Sequence, residues 1–531
     1  MNDATPFAYD QTLYPGFPFS QTHPGRLATL AAFHGMQPVP PARCRMLELG
    51  CGDGGNLIPL AYQYPDGVFL GVDLSARAIE IGQNAVARLG LRNIDLRALD
   101  ITEMTPDDGQ FDYIVGHGVY SWVPPHVRAK MLSIFRNNLS RQGVAYVSYN
   151  CHPGSYLRDL ARSIMLYHVR DNSDPRQRVQ QGRTLLQVIA DMSSDKEVYG
   201  QVLRSQYERV RKMQEAVLHH DDLHADATAF FLYQVVEDAS REGLQYLADA
   251  TAPLMTGALL ELGDSDPLVK LLEQIPVEDW VTREQYLDFV KGRMFRETLF
   301  CHHEIALQRP VPVSRIRDFQ ISTDIMPGSP DLDPQAPGRA EFKMRTGQRM
   351  STDHALTKAA LLHLGAIWPQ AIGFDDLVNA ALARLGPAAD AVRANLGENV
   401  DSLAEILLRT FCAGVIDVDV YPPSLATTIS ERPQASLLAR RQAETGPLLT
   451  SLRHSTVVLD DPITQRLLTL LDGSRTIDDL ASELAAVAPQ LARKKGDGDG
   501  DGGAESTGPV ISRENVERNL QLLAKLALLV A

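Results

Sequence analysis

Residues 47–56 read LELGCGDGGN. An apolar run, the signature of a buried strand, ends in a segment too rich in glycine to be helical. Gly50, Gly52 and Gly55 satisfy G-x-G-x-x-G, the spacing with which a tight turn holds a pyrophosphate at a helix N-terminus. Asp73 closes the next apolar run about 20 residues on, where a ribose-binding acid belongs. A dinucleotide and another nucleoside cofactor both pass that test. Glu48 tips the balance: a buried carboxylate two residues before the first glycine repels a pyrophosphate and suits a ligand with an ammonium and a sulfonium.

Four further segments read as buried parallel strands: VFLGVDL (68–74), NIDLRALDI (93–101), FDYIVGHGV (111–119) and GVAYVSYN (143–150). They are short, rich in Val, Ile and aromatics, and mostly not alternating, as expected of strands covered by helices on both faces. Helical patterns separate them. Ser75 is an N-cap for ARAIEIGQNAVARLG, which aligns Ile79, Val86 and Leu89 and stops at Gly90. PHVRAKMLSIFRNNL aligns Val127, Met131, Ile134 and Phe135. The alternation predicts an α/β, Rossmann-like doubly wound sheet whose ligands lie beyond the carboxyl ends of the strands.

The pattern E-L-G-C-G-x-G-x-N resembles motif I of the class I S-adenosylmethionine (SAM) methyltransferases. Asp73 with Leu74 resembles that family's ribose-binding acid, and Asp100–Ile101 its adenine contact. FDYIV and LSRQGVAYVSYN resemble its fourth and fifth strands. Two more stretches, YPGFPFSQTHPGRLATLAAFHG (14–35) and HGVYSWVPP (117–125), look like the methyltransferases that carry a regulatory domain, known from rickettsial protein lysine methyltransferases acting on outer-membrane proteins. HHDDLHADATAFFLYQVVEDASREGLQYLADA and DFVKGRMFRETLFCHHEI resemble that family's middle region, with a departure at Asp221–Asp222. The resemblance implies SAM as cofactor, held by Glu48, Gly50, Cys51, Gly52, Gly55, Asp73, Leu74, Asp100, Ile101, His117 and Gly118, under a lid carrying Tyr14 and His23.

N-methylation asks a protein to align amine, methyl and sulfur and to keep water out. A lysine, with a reference pKa of about 10.4, must be neutral to attack. HGVYSWVPP offers Tyr120 as an acceptor for the amine, Trp122 as a face for a cationic chain and His117 as a base or cofactor contact; Asn150 offers a substrate bond or a cap for the next turn. Packing in the core is the competing role for Tyr120 and Trp122.

The rest of the chain sets limits. Its 531 residues exceed one core, and the net charge of −15 argues against non-specific binding to nucleic acid or anionic membrane. Five scattered cysteines, Cys44, Cys51, Cys151, Cys301 and Cys412, contain no C-x-x-C pair. Neither a secretory signal nor a membrane-length apolar run is seen, so a cytoplasmic protein is expected. HHDDLH (219–224) and CHHE (301–304, read as helical) imitate metal motifs, and GDGDGDGG (496–503) imitates an EF-hand but has Gly508 where Glu belongs. No metal site is expected, and the acidic run reads as a flexible loop. A linker rich in Pro, Asp and Gly covers 322–340. Beyond it a degenerate repeat brings Phe374-Asp375-Asp376-Leu377 and Ile477-Asp478-Asp479-Leu480 to corresponding places in two winged-helix-like units. No Lys/Arg-rich recognition helix accompanies them, which favours protein binding or homodimer packing over DNA.

The expected layout is a SAM-binding domain over 1–155, a mostly helical regulatory domain over 156–325, and winged-helix-like modules over 341–430 and 450–531. The expected function is N-methylation of lysine in a protein substrate, an outer-membrane or surface protein by the resemblance. A small-molecule or natural-product methyltransferase, or a SAM-binding regulator without turnover, would use the same core.

Overall fold

β1, Arg45–Leu49, has four of its five residues buried and is the central one of five parallel strands in a seven-stranded sheet. The computed structural model describes residues 13–530 except 15, 225–226, 252–266, 346, 427 and 494–510; the acidic run 496–503 lies outside the described residues. β1 pairs in parallel with β2 (Val68–Asp73) and β4 (Phe111–Gly116). β3 (Ile94–Ala98) joins β2, and β5 (Leu139–Asn150) joins β4, also in parallel. These are the strands expected from the apolar runs, but β3 is corrected from a buried strand to an edge strand with Leu96 alone of its five residues buried. Leu47, Leu49, Val72, Ile114 and Val147 fill the core between them.

α1, Pro24–Phe33, precedes the sheet, and α2, Leu57–Gln63, follows the glycine loop. α3, Ala76–Leu89, starts at Ser75, whose side chain accepts from the Ala78 N–H, and ends at left-handed Gly90, as read from sequence. α4, Pro125–Asn138, buries Met131, Ile134 and Phe135.

The segment after β5 is mostly helical: α5 (Ser155–His168), α6 (Pro175–Met192), α7 (Val198–Val210), α8 (Glu215–Asp222) and α9 (Leu232–Arg241), then α10 (Pro267–Glu273) and α11 (Trp280–Lys291). It also returns two strands that were not foreseen. β6 (Leu244–Asp249) and β7 (Phe295–His302) give the sheet the order β3-β2-β1-β4-β5-β7-β6, with β7 antiparallel to both neighbours. The helical reading of CHHE is therefore corrected: Cys301 and His302 end β7. Cys301 is buried, His302 bonds to the Leu139 carbonyl, and Glu304 forms an ion pair with Arg136.

What made β7 unreadable is Arg296 within it. The side chain is fully buried and meets Asp288 (2.7 Å), Glu284 (2.6 Å) and Asp249 (3.3 Å), two of them from α11 and one from β6. Arg293 adds a second cation to the group, 2.8 Å from Asp249. Desolvating one guanidinium is tolerated only because several carboxylates surround it. Asp222 of HHDDLH is a second such anchor, buried and paired with Arg158 (3.1 Å) and Arg209 (2.7 Å). Among the described residues, no group of three or more His, Cys, Asp or Glu is placed to hold a metal, and no helix is long and apolar enough to cross a membrane.

Contacts divide the chain into two units, the first of residues 1–16 and 30–310, the second of 17–29 and 311–531. In the second unit, α12 (Ala355–Ile367), α13 (Phe374–Leu385), α14 (Ala389–Arg393) and α15 (Leu396–Cys412) accompany two small sheets, one of β8 (Gln320–Ser322), β12 (Ile372–Gly373) and β13 (Asp417–Asp419), the other of β9 (Met326–Pro327), β10 (Ala340–Lys343) and β11 (Arg349–Thr352). Nearer the C-terminus, α16 (Leu437–Ala443), α17 (Pro462–Leu470), α18 (Ile477–Arg493) and α19 (Arg513–Lys525) accompany the hairpin of β14 (Leu448–Thr450) and β15 (Thr456–Val458). Each Asp-Asp-Leu sequence opens a helix, α13 or α18. Its acids sit in the first turn, where the helix dipole favours them, and Leu377 and Leu480 point into the core.

Candidate functional site

Four loops meet at the carboxyl edge of the sheet. Gly50 and Cys51 donate their N–H groups to the Val72 carbonyl (2.8 and 3.1 Å), so the glycine loop hangs on the end of β2. Gly52 donates to Asp73 Oδ2 (2.8 Å) and Ser75 to Asp73 Oδ1 (2.8 Å). One carboxylate thus ties the turn after β1 to the turn after β2. Gly50 has φ +73°, and a Cβ there would stand 2.4 Å from Val119 Cγ2, which brings the loop after β4 against it. Gly55 is small for another reason: a Cβ would lie 2.6 Å from the Cα of Gly16 in the N-terminal arm. Next to Gly16 in that arm, the ring of Tyr14 lies 5.9 Å from that of His220.

After β3, Leu99 donates its N–H to the Asp73 carbonyl, and the Asp100 side chain accepts from Thr102 (2.8 Å). Ile101 packs on the core and Leu74 is exposed. These residues, read separately from sequence, form one rim. His23 belongs to the second unit, where its Nδ1 accepts from the Gly25 N–H and its ring lies 5.6 Å from that of His454.

Charge in the rim is shaped by burial. Glu48 is 3% exposed; its Oε1 accepts from Asn56 Nδ2 (2.8 Å), and its Oε2 is buried with no hydrogen-bond partner among the described residues. Burial pushes its pKa up to about 8, against the Asn56 bond and with help from Asp73 and Asp53. An orphaned, buried carboxyl oxygen beside a backbone cradle fits a cationic nucleoside better than a pyrophosphate. Burial also pushes the Cys51 thiol well up, so that side chain is not a thiolate.

The three residues offered for catalysis do not share a place. Tyr120 is 1% exposed and packs on Tyr149, Phe230 and the Arg128 guanidinium. His117 bonds to Tyr146 through Nδ1 (2.8 Å). Tyr146 and Tyr149 are three apart on β5 and face opposite sides of the sheet, so Tyr120 and His117 do too. Trp122 is half-buried, its ring edge-on to His224 at 6.1 Å. Asn150 is buried, bonded to Arg158 through its side chain and to Ser121 and Phe230 through its backbone. Burial holds the His117 imidazole at about 4, hence neutral near pH 7.

Sequence reasoning missed Tyr146, which bonds to His117, with Glu297, which bonds to Tyr146, and Ser148, which accepts from the Gly118 N–H. Their signal was a polar residue at every second position of AYVSYN and the consecutive polar residues Arg296, Glu297 and Thr298 of FRETL, inside strands that are otherwise largely apolar.

The methyltransferase-domain family matches residues 46–143, the "Predicted methyltransferase regulatory domain" 214–302, and "PKMT, C-terminal winged helix domain" 431–528. The "Uncharacterized protein RP789" of Rickettsia prowazekii is 32% identical over 85% of this chain and 80% of its own length. RP028 of the same organism is 34% identical over 45% of this chain and 96% of its own. The solved structure of PKMT2 from Rickettsia typhi in complex with AdoHcy is 28% identical and covers 98% of this chain and 100% of that one, with a TM-score of 0.85.

Proposed function

Because the chain belongs to the SAM-dependent methyltransferases that carry a methyltransferase regulatory domain and a PKMT winged-helix domain, we propose that it methylates lysine side chains of a protein substrate. The observation that carries this reading is likeness to a rickettsial PKMT along the whole chain, C-terminal region included, where a small-molecule enzyme would need only the sheet. A protein exported to the bacterial surface, modified in the cytoplasm, is the substrate class that the resemblance favours, and homodimer packing is a further role for the winged-helix region.

When bound, SAM supplies a methyl group on a sulfonium, already a good leaving group. In this reading Glu48 faces the positive charge of the cofactor, Asp73 and Leu74 take the ribose, Asp100 and Ile101 the adenine, and Gly50–Gly55 and Gly118 give backbone access. Gly16 lies against Gly55 of the glycine loop, and the arm that carries it and Tyr14 is the lid that excludes water. His117 takes no proton from the substrate: with its imidazole held at about 4 and lysine near 10.4, that transfer is uphill by about six pH units, on the order of 8–9 kcal/mol. It serves instead as a neutral hydrogen-bonding group, and the amine arrives unprotonated.

The test is transfer of tritium from methyl-labelled SAM into proteins of the source organism's lysate, with an Asp73→Ala control and amino-acid analysis after acid hydrolysis. Label in methyl-lysine is expected. Label confined to small solutes would replace the lysine reading with a small-molecule one.

A further inference from the structure

HHDDLH (219–224), which imitates a metal motif, lies in the regulatory segment at the C-terminal end of α8 and just beyond it. Four arginines from three other helices fasten it. Arg158 of α5 reaches Asp222 (3.1 Å) and the Asp221 carbonyl, and Arg162 of α5 reaches the His224 carbonyl. Arg178 of α6 donates to the Leu223 carbonyl (2.9 Å), and Arg209 of α7 pairs with Asp222 (2.7 Å). Arg158 also donates to Asn150 Oδ1 (3.1 Å), which ties the stretch to the last residue of β5. The Asp222 carboxylate is wholly buried, a place tolerated because two guanidinium groups meet it.

Two rings of this fastened stretch meet loops of the site. His220, 4% exposed, lies 5.9 Å from the ring of Tyr14, and His224 lies edge-on to Trp122 at 6.1 Å. Tyr14 belongs to the N-terminal arm and Trp122 to the loop after β4. The arm runs hard against the glycine loop: a Cβ at Gly16 would stand 2.9 Å from Asp53 Cγ and 3.0 Å from Gly55 Cα. Asp53 Oδ1 in turn accepts from the Gly55 N–H at 3.0 Å. Glycine loop, arm, α8 and the end of β5 are thus joined in order around the carboxyl edge of the sheet. At Gly16 the arm has a contact that only glycine permits. Two residues away its Tyr14 ring rests on a helix end that moves only by breaking buried ion pairs.

We propose that His220 is a positioning residue for the cofactor: it seats Tyr14 and so holds the arm over the glycine loop, which makes SAM affinity depend on the regulatory segment. The proposal rests on SAM as cofactor and on the arm as its lid, not on lysine as the acceptor. Where only the closed arrangement of the arm retains SAM, any loss in the population of that arrangement weakens the apparent affinity in proportion. The worth of one aromatic pair converts to about 3–10-fold.

The experiment is calorimetric titration of the full-length protein with SAM in wild type, Tyr14→Ala, His220→Ala and the double variant. Each single change is expected to weaken binding by about 3–10-fold, and the double variant by no more than the larger single effect, because either change breaks the same contact. Leu186→Ala, in the helical core that also holds Leu218 and Leu223 of the stretch around His220, is the control. It is expected to lower the melting temperature and to leave SAM affinity within about twofold. If His220→Ala does not fold, His220→Leu, which keeps the bulk and loses the ring, takes its place in the cycle. Unchanged affinity in Tyr14→Ala overturns the lid reading and the proposal with it. Weakening in Tyr14→Ala but not in the His220 variant, or single effects that multiply in the double variant, overturns the seat and leaves the lid standing. Equal weakening in Leu186→Ala assigns the effect to general loosening of the helices and overturns the seat as well.

Discussion

Glu48→Gln tests the charge logic of the cofactor loop. The wild-type carboxyl, held up to about 8 by burial, is about nine-tenths protonated at pH 7. A cation seated beside its orphaned Oε2 favours the ionised form, so binding SAM should expel that proton. Linkage then fixes three numbers. Wild type releases about 0.9 proton more per SAM at pH 7 than Glu48→Gln does, its affinity tightens up to about tenfold per pH unit relative to the variant below pH 8, and the difference flattens above it. At pH 8.5 the variant lacks a charge pair and binds more weakly by about 1–3 kcal/mol. Without SAM the sign reverses. A carboxyl raised from its ordinary range to about 8 holds a proton in the folded state that the unfolded chain gives up, so stability falls as pH rises between those values. That loss, on the order of 4 kcal/mol, should be absent in Glu48→Gln. Calorimetric titration with SAM in two buffers of different ionisation enthalpy measures the proton count, and urea unfolding from pH 5 to 9 measures the stability. A wild-type excess below about 0.2 proton, with parallel pH profiles for the two proteins, would refute the reasoning.

Arg296→Met removes the fully buried cation that Asp249, Glu284 and Asp288 share, and urea unfolding should show a loss of about 3–5 kcal/mol. In Gly50→Ala, the left-handed backbone costs about 1–2 kcal/mol and the contact with Val119 adds strain, so SAM affinity should drop together with melting temperature. Lysine methylation at saturating SAM should climb by up to about tenfold per pH unit from pH 7 toward pH 9, because His117 supplies no proton acceptor and the free amine is the reactive species; a plateau at neutral pH would contradict this.

The strands β1, β2, β4 and β5 were legible because burial on both faces demands unbroken apolar runs; β3, read as buried, is an edge strand in which Leu96 alone of five residues is buried. The glycine loop with Asp73 was legible because its parts lie close in sequence. β6 and β7 were not. Their distinguishing feature is a buried arginine whose carboxylate partners sit on α11 and β6, and a charged residue in a strand makes sense only once those partners are in place. For the same reason His302 and His303 looked like part of a helix. Within the site, Tyr120 and His117 are three residues apart and appeared as one catalytic cluster, but the face that each takes is decided by Tyr149 and Tyr146 on another strand. The Tyr146 hydroxyl that bonds to His117 also bonds to a residue 151 positions away, a distance across which local pattern has nothing to say.

The place of β7 in the sheet has a consequence for synthesis of the chain. β5 is twelve residues long and most of its residues are buried, yet its outer edge is paired only by β7. When the nascent chain has delivered β1 to β5, that edge is an open template of backbone N–H and C=O groups. It stays so while roughly 150 further residues are made, on the order of 10–30 s at ordinary elongation rates. The helices α5 to α9 emerge in that interval, and their local contacts let them fold early, beside an unfinished sheet. An N-terminal fragment ending near residue 155 would keep the nucleoside-binding loops and the sticky edge together, and should aggregate where a fragment ending after β7 stays dispersed.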